Sequence, residues 1–104
     1  MSDYVLLPCC VELYCESVDM RKGHNGLLGL VEQELGKDSL NGALYLFSNR
    51  SRTLLKGIFW DRTGYCVVSK RLERGKFSIP LNDKIIELDG KSLRLLLDGL
   101  NLFL

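Results

Sequence analysis

Apolar and polar residues alternate along several short stretches of the chain, and each such stretch predicts a β-strand. The clearest is VELYCE (11–16), where Val11, Leu13 and Cys15 alternate with Glu or Tyr. Further stretches with strand-forming composition lie at 43–49, 53–60, 65–72, 76–80 and 84–88. The connectors after residues 49, 60 and 72 are short and polar, which is typical of an antiparallel meander.

Two stretches instead show the apolar spacing of an amphipathic helix. The first predicts a helix over about residues 26–36, with Gly36 as C-cap and Ser17 or Asp19 as candidate N-cap. The second begins after the capping residue Asp89. The apolar positions are Leu28, Val31 and Leu35 in the first helix and Leu93, Leu96, Leu97 and Leu100 in the second.

These elements predict an α+β fold, and the 104 residues support one domain over 1–104. We expect an antiparallel β-meander of about five to six strands, with one helix in the N-terminal half and another at the C-terminus. No segment approaches the roughly 20 apolar residues that span a bilayer. The N-terminus lacks a basic lead-in and contains Pro8, so we expect no signal peptide and a cytoplasmic protein with no membrane contact.

The segment DRTG (61–64) predicts a tight turn that sets Trp60 opposite Tyr65. Strand alternation then divides the hairpin into two faces. One face is apolar apart from Lys70 and is expected to receive a helix. The other is mixed, with aromatic residues near the turn and cations, including Lys56 and Arg71, toward the far end.

The net charge of +1 conceals a strongly basic middle region. Residues 1–49 carry a charge of −4, residues 50–76 carry +6, and residues 77–104 carry −1. Cations beside aromatic residues suit contact with phosphates and stacking on bases or sugars. Charge alone leaves three interpretations open: nucleic-acid contact, binding of an acidic protein, or an ordinary solvated surface.

Catalytic and metal sites are not predicted. Asp19, Asp61 and Glu73 are conceivable ligands for phosphodiester chemistry, but neighbouring arginines explain the latter two more simply as ion pairs. Cys9, Cys10, Cys15 and Cys66 lack the usual spacing of zinc ligands and are interpreted as buried thiols, with a zinc site involving His24 as the weaker alternative. We therefore expect a protein that is not an enzyme and holds no metal or cofactor.

The order of several short motifs is similar to that of one known family. DMRKG (19–23) precedes GLLGLV (26–31), and F-x-NR, LK, WD-x-x-G and KRLE-x-G-x-F follow within residues 44–77. This set closely resembles the short TnpB or Orf2-like accessory proteins of IS66-type bacterial insertion sequences, which are distinct from the RNA-guided nuclease TnpB. The matching positions are Asp19, Met20, Arg21, Lys22, Gly23, Phe47, Asn49, Arg50, Leu55, Lys56, Trp60, Asp61, Gly64, Lys70, Arg71, Leu72, Glu73, Gly75 and Phe77.

The resemblance implies a role in transposition beside a separate, larger transposase, and it strengthens the DNA hypothesis. The alternative is an adaptor that binds the transposase, or another accessory protein, without contacting DNA. The expected phosphate contacts are Arg50, Arg52, Lys56, Lys70, Arg71, Arg74 and Lys76, with Arg21 and Lys22 added near the first helix's N-terminus. Trp60 and Tyr65 are secondary candidates for stacking. No recognition-helix motif appears, so sequence-specific readout is not predicted.

Overall fold

The computed structural model describes residues 10–99 and has one five-stranded sheet with a helix on each face. The strands are β1 (Val11–Ser17), β2 (Leu44–Ser48), β3 (Leu54–Asp61), β4 (Gly64–Arg71) and β5 (Ile85–Leu88). The helices are α1 (His24–Gly29), which continues as a π-helical turn over Leu30–Glu34, and α2 (Gly90–Leu97). This confirms the predicted α+β class.

The strands lie in the order β4-β3-β2-β1-β5. Strands β2, β3 and β4 form the predicted antiparallel meander, and β5 pairs antiparallel with β1. Strands β1 and β2 are parallel because the chain crosses the sheet through α1 between them. The short connectors in the sequence predicted only antiparallel pairs and gave no sign of this parallel one.

Each face of the sheet packs against one helix. Beneath α2 lies a core of buried residues that includes Leu13, Leu46 and Phe59, with Leu93 and Leu97 packed against it. Beneath α1 lies a second core, whose buried residues are Tyr14, Leu27, Val31, Ala43, Tyr45, Phe47 and Ile58. The hairpin face that the alternation indicated to be mixed is therefore also packed over much of its length.

Two local predictions are wrong. Residues 76–80 do not form a strand: Phe77 N donates to Arg52 O at 2.7 Å, and Pro80 has no N–H to continue a ladder. The segment is instead held by Phe77 and Ile79, which are buried in the α2-side core. The N-cap of α1 is Gly23 rather than Ser17 or Asp19, because Ser17 is the last residue of β1 and Asp19 binds Arg21.

Several other predictions are confirmed. Trp60 pairs with Tyr65 across the β3–β4 turn, and the Asp89 side chain accepts a 2.7 Å hydrogen bond from Ser92 N at the start of α2. Gly75 adopts a positive φ angle of 78°, whereas the predicted C-cap Gly36, with φ of 63°, directly follows the observed C-cap, Leu35. The predicted apolar position Leu100 and the thiol of Cys9 lie outside the described residues. Within residues 10–99, no helix is long and apolar enough to cross a membrane.

Candidate anion-binding surface

The direction of the strands collects the basic segments at one end of the sheet. Strands β1, β2 and β4 run toward this end, and β3 and β5 begin there. We call it the basic end and define it by residues 16–23, 48–56 and 69–84. These ranges contain ten Lys or Arg residues and four Asp or Glu residues. All nine cations predicted to contact phosphates fall within them.

The opposite end of the sheet has the reverse charge balance. Residues 32–43, 60–65 and 87–91, which adjoin the other strand ends, contain six acids and three cations. Two of those cations are in ion pairs: Lys37 Nζ lies 3.4 Å from Glu12 Oε1, and Arg62 Nε lies 3.5 Å from Asp61 Oδ1. The molecule is therefore strongly dipolar along the strand direction, which the net charge of +1 does not reveal.

The predicted cations differ in their availability. Lys70, Arg71, Arg74 and Lys76 are exposed, as is Arg50, and none forms an ion pair with another residue of 10–99. Lys70 projects from the apolar side of the hairpin, yet its side chain is not buried. These five side chains have their charge available to an anionic ligand.

The other four predicted cations are engaged or partly buried. Arg21 makes a two-pronged contact with Asp19, and its hydrogen bonds lower the pKa of that carboxyl group. Arg52 is half-buried and donates from its guanidinium to Ile79 O at 3.3 Å. Lys22 is also half-buried. Lys56 is bound to loop carbonyls. Neutralisation of a phosphate by Arg21, Arg52 or Lys56 requires that existing contacts be shared or given up.

Asn49 organises the β2–β3 loop that presents Arg50 and Arg52. Its Oδ1 accepts hydrogen bonds from the backbone N–H groups of Thr53 and Leu54 at 2.9 and 3.1 Å. Its Nδ2 donates to the hydroxyl groups of Ser51 and Thr53. This network offsets the unfavourable backbone at Arg52, whose φ is 60°. The F-x-NR motif therefore combines a loop-forming asparagine with the cation next to it.

Lys56 fastens the DMRKG loop to the sheet. Its Nζ donates to Met20 O at 2.7 Å and to Lys22 O at 3.4 Å. Since an ammonium group has three donors, two of them are already used. The side chain is half-buried. The geometry indicates that Lys56 holds the loop bearing Arg21 and Lys22 in place.

We expect Lys56→Met to destabilise the fold by about 1–2 kcal/mol, because two carbonyl groups lose a charged donor. Trypsin should then cleave the released loop after Arg21 or Lys22 faster than in the parent. Lys70→Met is the matched control, since Lys70 is exposed and should change stability by less than about 0.5 kcal/mol. Equal stability and equal cleavage rates in the two variants would contradict the anchoring role.

Trp60 and Tyr65 lie at the turn end of the hairpin, away from the basic end. Their rings pack edge to face with centroids 5.0 Å apart, and the Tyr65 hydroxyl is 2.9 Å from Ser39 Oγ. Trp60 and Leu54 are six residue steps apart along β3, which corresponds to about 20 Å. The pair therefore stabilises the hairpin and the segment after α1, and it is not placed to stack on a nucleotide whose phosphate contacts the basic end.

Among residues 10–99, the structure does not assemble the conceivable carboxylate site or a site from the described thiols. Asp61 lies at the turn end of the hairpin, whereas Asp19 and Glu73 lie at the basic end. Within residues 10–99, no three side chains of metal-ligating type come together. Cys15 is buried, and burial raises the pKa of its thiol, which disfavours the reactive thiolate.

Sequence reasoning missed one member of the basic end, Lys84. It directly precedes β5, and its carbonyl accepts a 2.9 Å hydrogen bond from Cys15 N. Its position depends on β5 returning beside β1, about 70 residues away in the chain, and no local pattern contains that information. The clustering of the predicted cations likewise depends on the β1–β2 crossover.

Comparison with known proteins finds a family model that matches nearly the whole chain and relatives that match part of it. A family model described as "IS66 Orf2 like protein" matches residues 10–103. The uncharacterized protein y4jC of Sinorhizobium fredii (strain NBRC 101917 / NGR234) is 34% identical over 87 residues, which cover 83% of this chain and 74% of y4jC. The uncharacterized protein y4hO of the same strain is 44% identical over 62 residues, or 60% of this chain and 54% of y4hO. No solved structure matches.

Proposed function

Because the chain belongs to the IS66 Orf2-like family of insertion-sequence accessory proteins, we propose that it contacts DNA through the basic end during transposition. Family membership implies association with transposition machinery and is consistent with a non-catalytic role. The more specific proposal, direct contact with DNA, rests on the arrangement of charge in this chain. The other partner in this proposal is the transposase of the same element.

The clustering of cations at one end of the sheet is the observation that carries the proposal. Three chain segments far apart in sequence meet there, and together they hold ten cations against four acids. Duplex DNA presents a dense row of phosphates, and neutralising them releases condensed counterions. A surface with several unpaired Lys and Arg side chains and few carboxylates suits such a ligand.

The mode of binding follows from what the basic end contains. Its five exposed and unpaired cations supply phosphate contacts, which position a protein on DNA without reading the sequence. The described part of the chain places no long helix there to enter a major groove, because α1 has six residues and packs on the sheet. Sequence-independent contact with the backbone is therefore the proposed mode.

The test is a salt titration of binding to a duplex that carries the element's end, with an unrelated duplex of equal length alongside. Four to six phosphate contacts should produce a slope of roughly −4 to −5 in a plot of log K against log salt, with similar affinity for both duplexes. Absence of binding at low salt, together with co-purification of the transposase, would overturn DNA contact and favour the adaptor role.

A further inference from the structure

Strand β4 lies at the edge of the sheet and leaves one side of its backbone without a partner among residues 10–99. Leu72 N donates to Thr53 O, so in the antiparallel ladder the even-numbered residues of β4 direct their N–H and C=O groups toward β3. Tyr65, Val67, Ser69 and Arg71 therefore direct theirs outward. The strand is eight residues long with an uninterrupted register, which makes it a regular template for another strand.

We propose that β4 pairs antiparallel with β4 of a second copy of this chain, about a two-fold axis at Val68. In this register Tyr65 of each copy lies opposite Arg71 of the other, and Val67 lies opposite Ser69. All four outward-facing residues then exchange hydrogen bonds, and the two sheets join into a single continuous sheet. Val68 meets its own counterpart as a non-hydrogen-bonded pair, in which side chains approach closely.

The sequence of β4 is complementary to itself in this register. The cations Lys70 and Arg71 occupy one end of the strand, and the opposing residues in the second copy are the uncharged Cys66 and Tyr65. No like charges stand opposite each other, and the Arg71 guanidinium can pack on the Tyr65 ring. The basic end of each copy also lies beside the acidic end of the other, which adds a favourable electrostatic term.

The apolar surface beside Val68 supports the same partner. Val68 is one of only three large hydrophobic residues among 10–99 that are exposed, at 38%. It borders a cavity of about 260 Å³ whose floor includes Leu46, Leu55 and Leu97. A second cavity of about 310 Å³ between Lys70 and α2 adjoins it. Pairing at Val68 places these hollows of the two copies side by side across the axis and covers apolar surface from both.

Gly57 lies in the floor of this hollow. It pairs with Val68 in the hairpin, and a Cβ atom at this position would lie 2.8 Å from the side chains of Leu44 and Leu46. The leucine side chains therefore already occupy the space above Gly57, and a larger residue at this position would displace them. Because strand pairing alone buries less than the roughly 1,200 Å² of a standard stable interface, we expect a concentration-dependent dimer with micromolar affinity.

Disulfide trapping tests the register. In a background with Cys9, Cys10 and Cys66 changed to Ser and Cys15 to Ala, checked by circular dichroism for retained folding, Val68→Cys should form a covalent dimer on mild oxidation. Paired Val68 residues lie within bridging distance, whereas Val67 is diagonal to its counterpart at roughly 8 Å, beyond the reach of a disulfide. Val67→Cys is therefore the matched control and should cross-link at least tenfold more slowly.

Sedimentation analysis of the unmodified chain provides the second arm. We expect a monomer–dimer equilibrium, and Ser69→Pro should shift it to monomer because proline removes an outward N–H without breaking the β3–β4 ladder. A parent that stays monomeric up to about 1 mM would overturn the proposal, as would a dimer that Ser69→Pro leaves unchanged or that Val67→Cys traps as readily as Val68→Cys. DNA contact is measured separately in the salt titration, and sedimentation is run without DNA, so either proposal can fail alone.

Discussion

Replacing Arg50, Arg71 and Arg74 together by glutamine is expected to weaken DNA binding roughly 100-fold at 0.1 M salt. These arginines are exposed, lie in two segments of the basic end (48–56 and 69–84), and form no ion pair with residues 10–99. Each lost phosphate contact removes about 0.9 from the salt slope, so the slope should fall from roughly −4 or −5 to about −2. Fluorescence anisotropy with a labelled duplex measures both quantities.

The matched control neutralises three cations at the opposite end of the sheet, Lys37, Arg62 and Lys91. The net charge changes by the same amount in both triple variants, so a response to total charge alone would affect them equally. We expect the control to keep its affinity within about threefold and its slope within about one unit. Equal losses in the two variants would show that the position of the cations at the basic end is irrelevant to binding.

Phe77→Ala is expected to destabilise the protein by about 3–5 kcal/mol, a larger loss than the one expected for Lys56→Met. Phe77 lies in the non-strand segment 72–84 but is only 1% exposed, and it packs in the α2-side core with Leu55 and Phe59. A loss of this size is a large part of the roughly 5–10 kcal/mol available to a chain of this length. Thermal unfolding followed by circular dichroism should show a decrease in Tm of about 15–25 °C.

Leu81→Ala, four residues further along the same segment, is the control for Phe77→Ala. Leu81 is 78% exposed, so its truncation should change the free energy of unfolding by less than about 0.5 kcal/mol. Because the Phe77 side chain anchors this segment in the core, the Phe77 variant should additionally be cleaved faster by trypsin after Arg74 and Lys76 at temperatures where the sheet remains folded. A mild effect like that of Leu81→Ala would contradict the anchoring of this segment by Phe77.

The β3–β4 hairpin could be predicted in detail because every interaction that defines it is local. The alternation of residues in 53–60 and 65–72, together with the turn at DRTG, predicted the observed register, in which Trp60 pairs with Tyr65. Positive φ angles at Arg62 and Gly75 belong to the same short-range turn chemistry. The cap at Asp89 was predictable for the same reason, since it satisfies a backbone N–H three residues away.

The conformation of segment 72–84 was harder to predict from the sequence, because its local composition favours a strand that does not form. KFSIP has the apolar alternation of a strand and follows β4, whose outer edge is unpaired among residues 10–99, but Phe77 N donates to Arg52 O instead and Pro80 has no N–H. The same apolar residues, Phe77 and Ile79, are used as side-chain anchors in the core instead. The alternation marked these positions as apolar, whereas the backbone conformation depended on burial of both side chains in the α2-side core.

The features of the candidate site likewise separate into those that the sequence predicted and those that depended on the tertiary structure. The amino-acid sequence specified the elements, the faces of the hairpin and the local excess of cations, because alternation, turn residues and charge are properties of neighbouring positions. The tertiary structure decided that 16–23, 48–56 and 69–84 meet at one end, that Lys56 binds loop carbonyls, and that Trp60 and Tyr65 lie about 20 Å away. These outcomes depend on the parallel β1–β2 crossover and the return of β5, which are long-range pairings set by burial of both sheet faces at once.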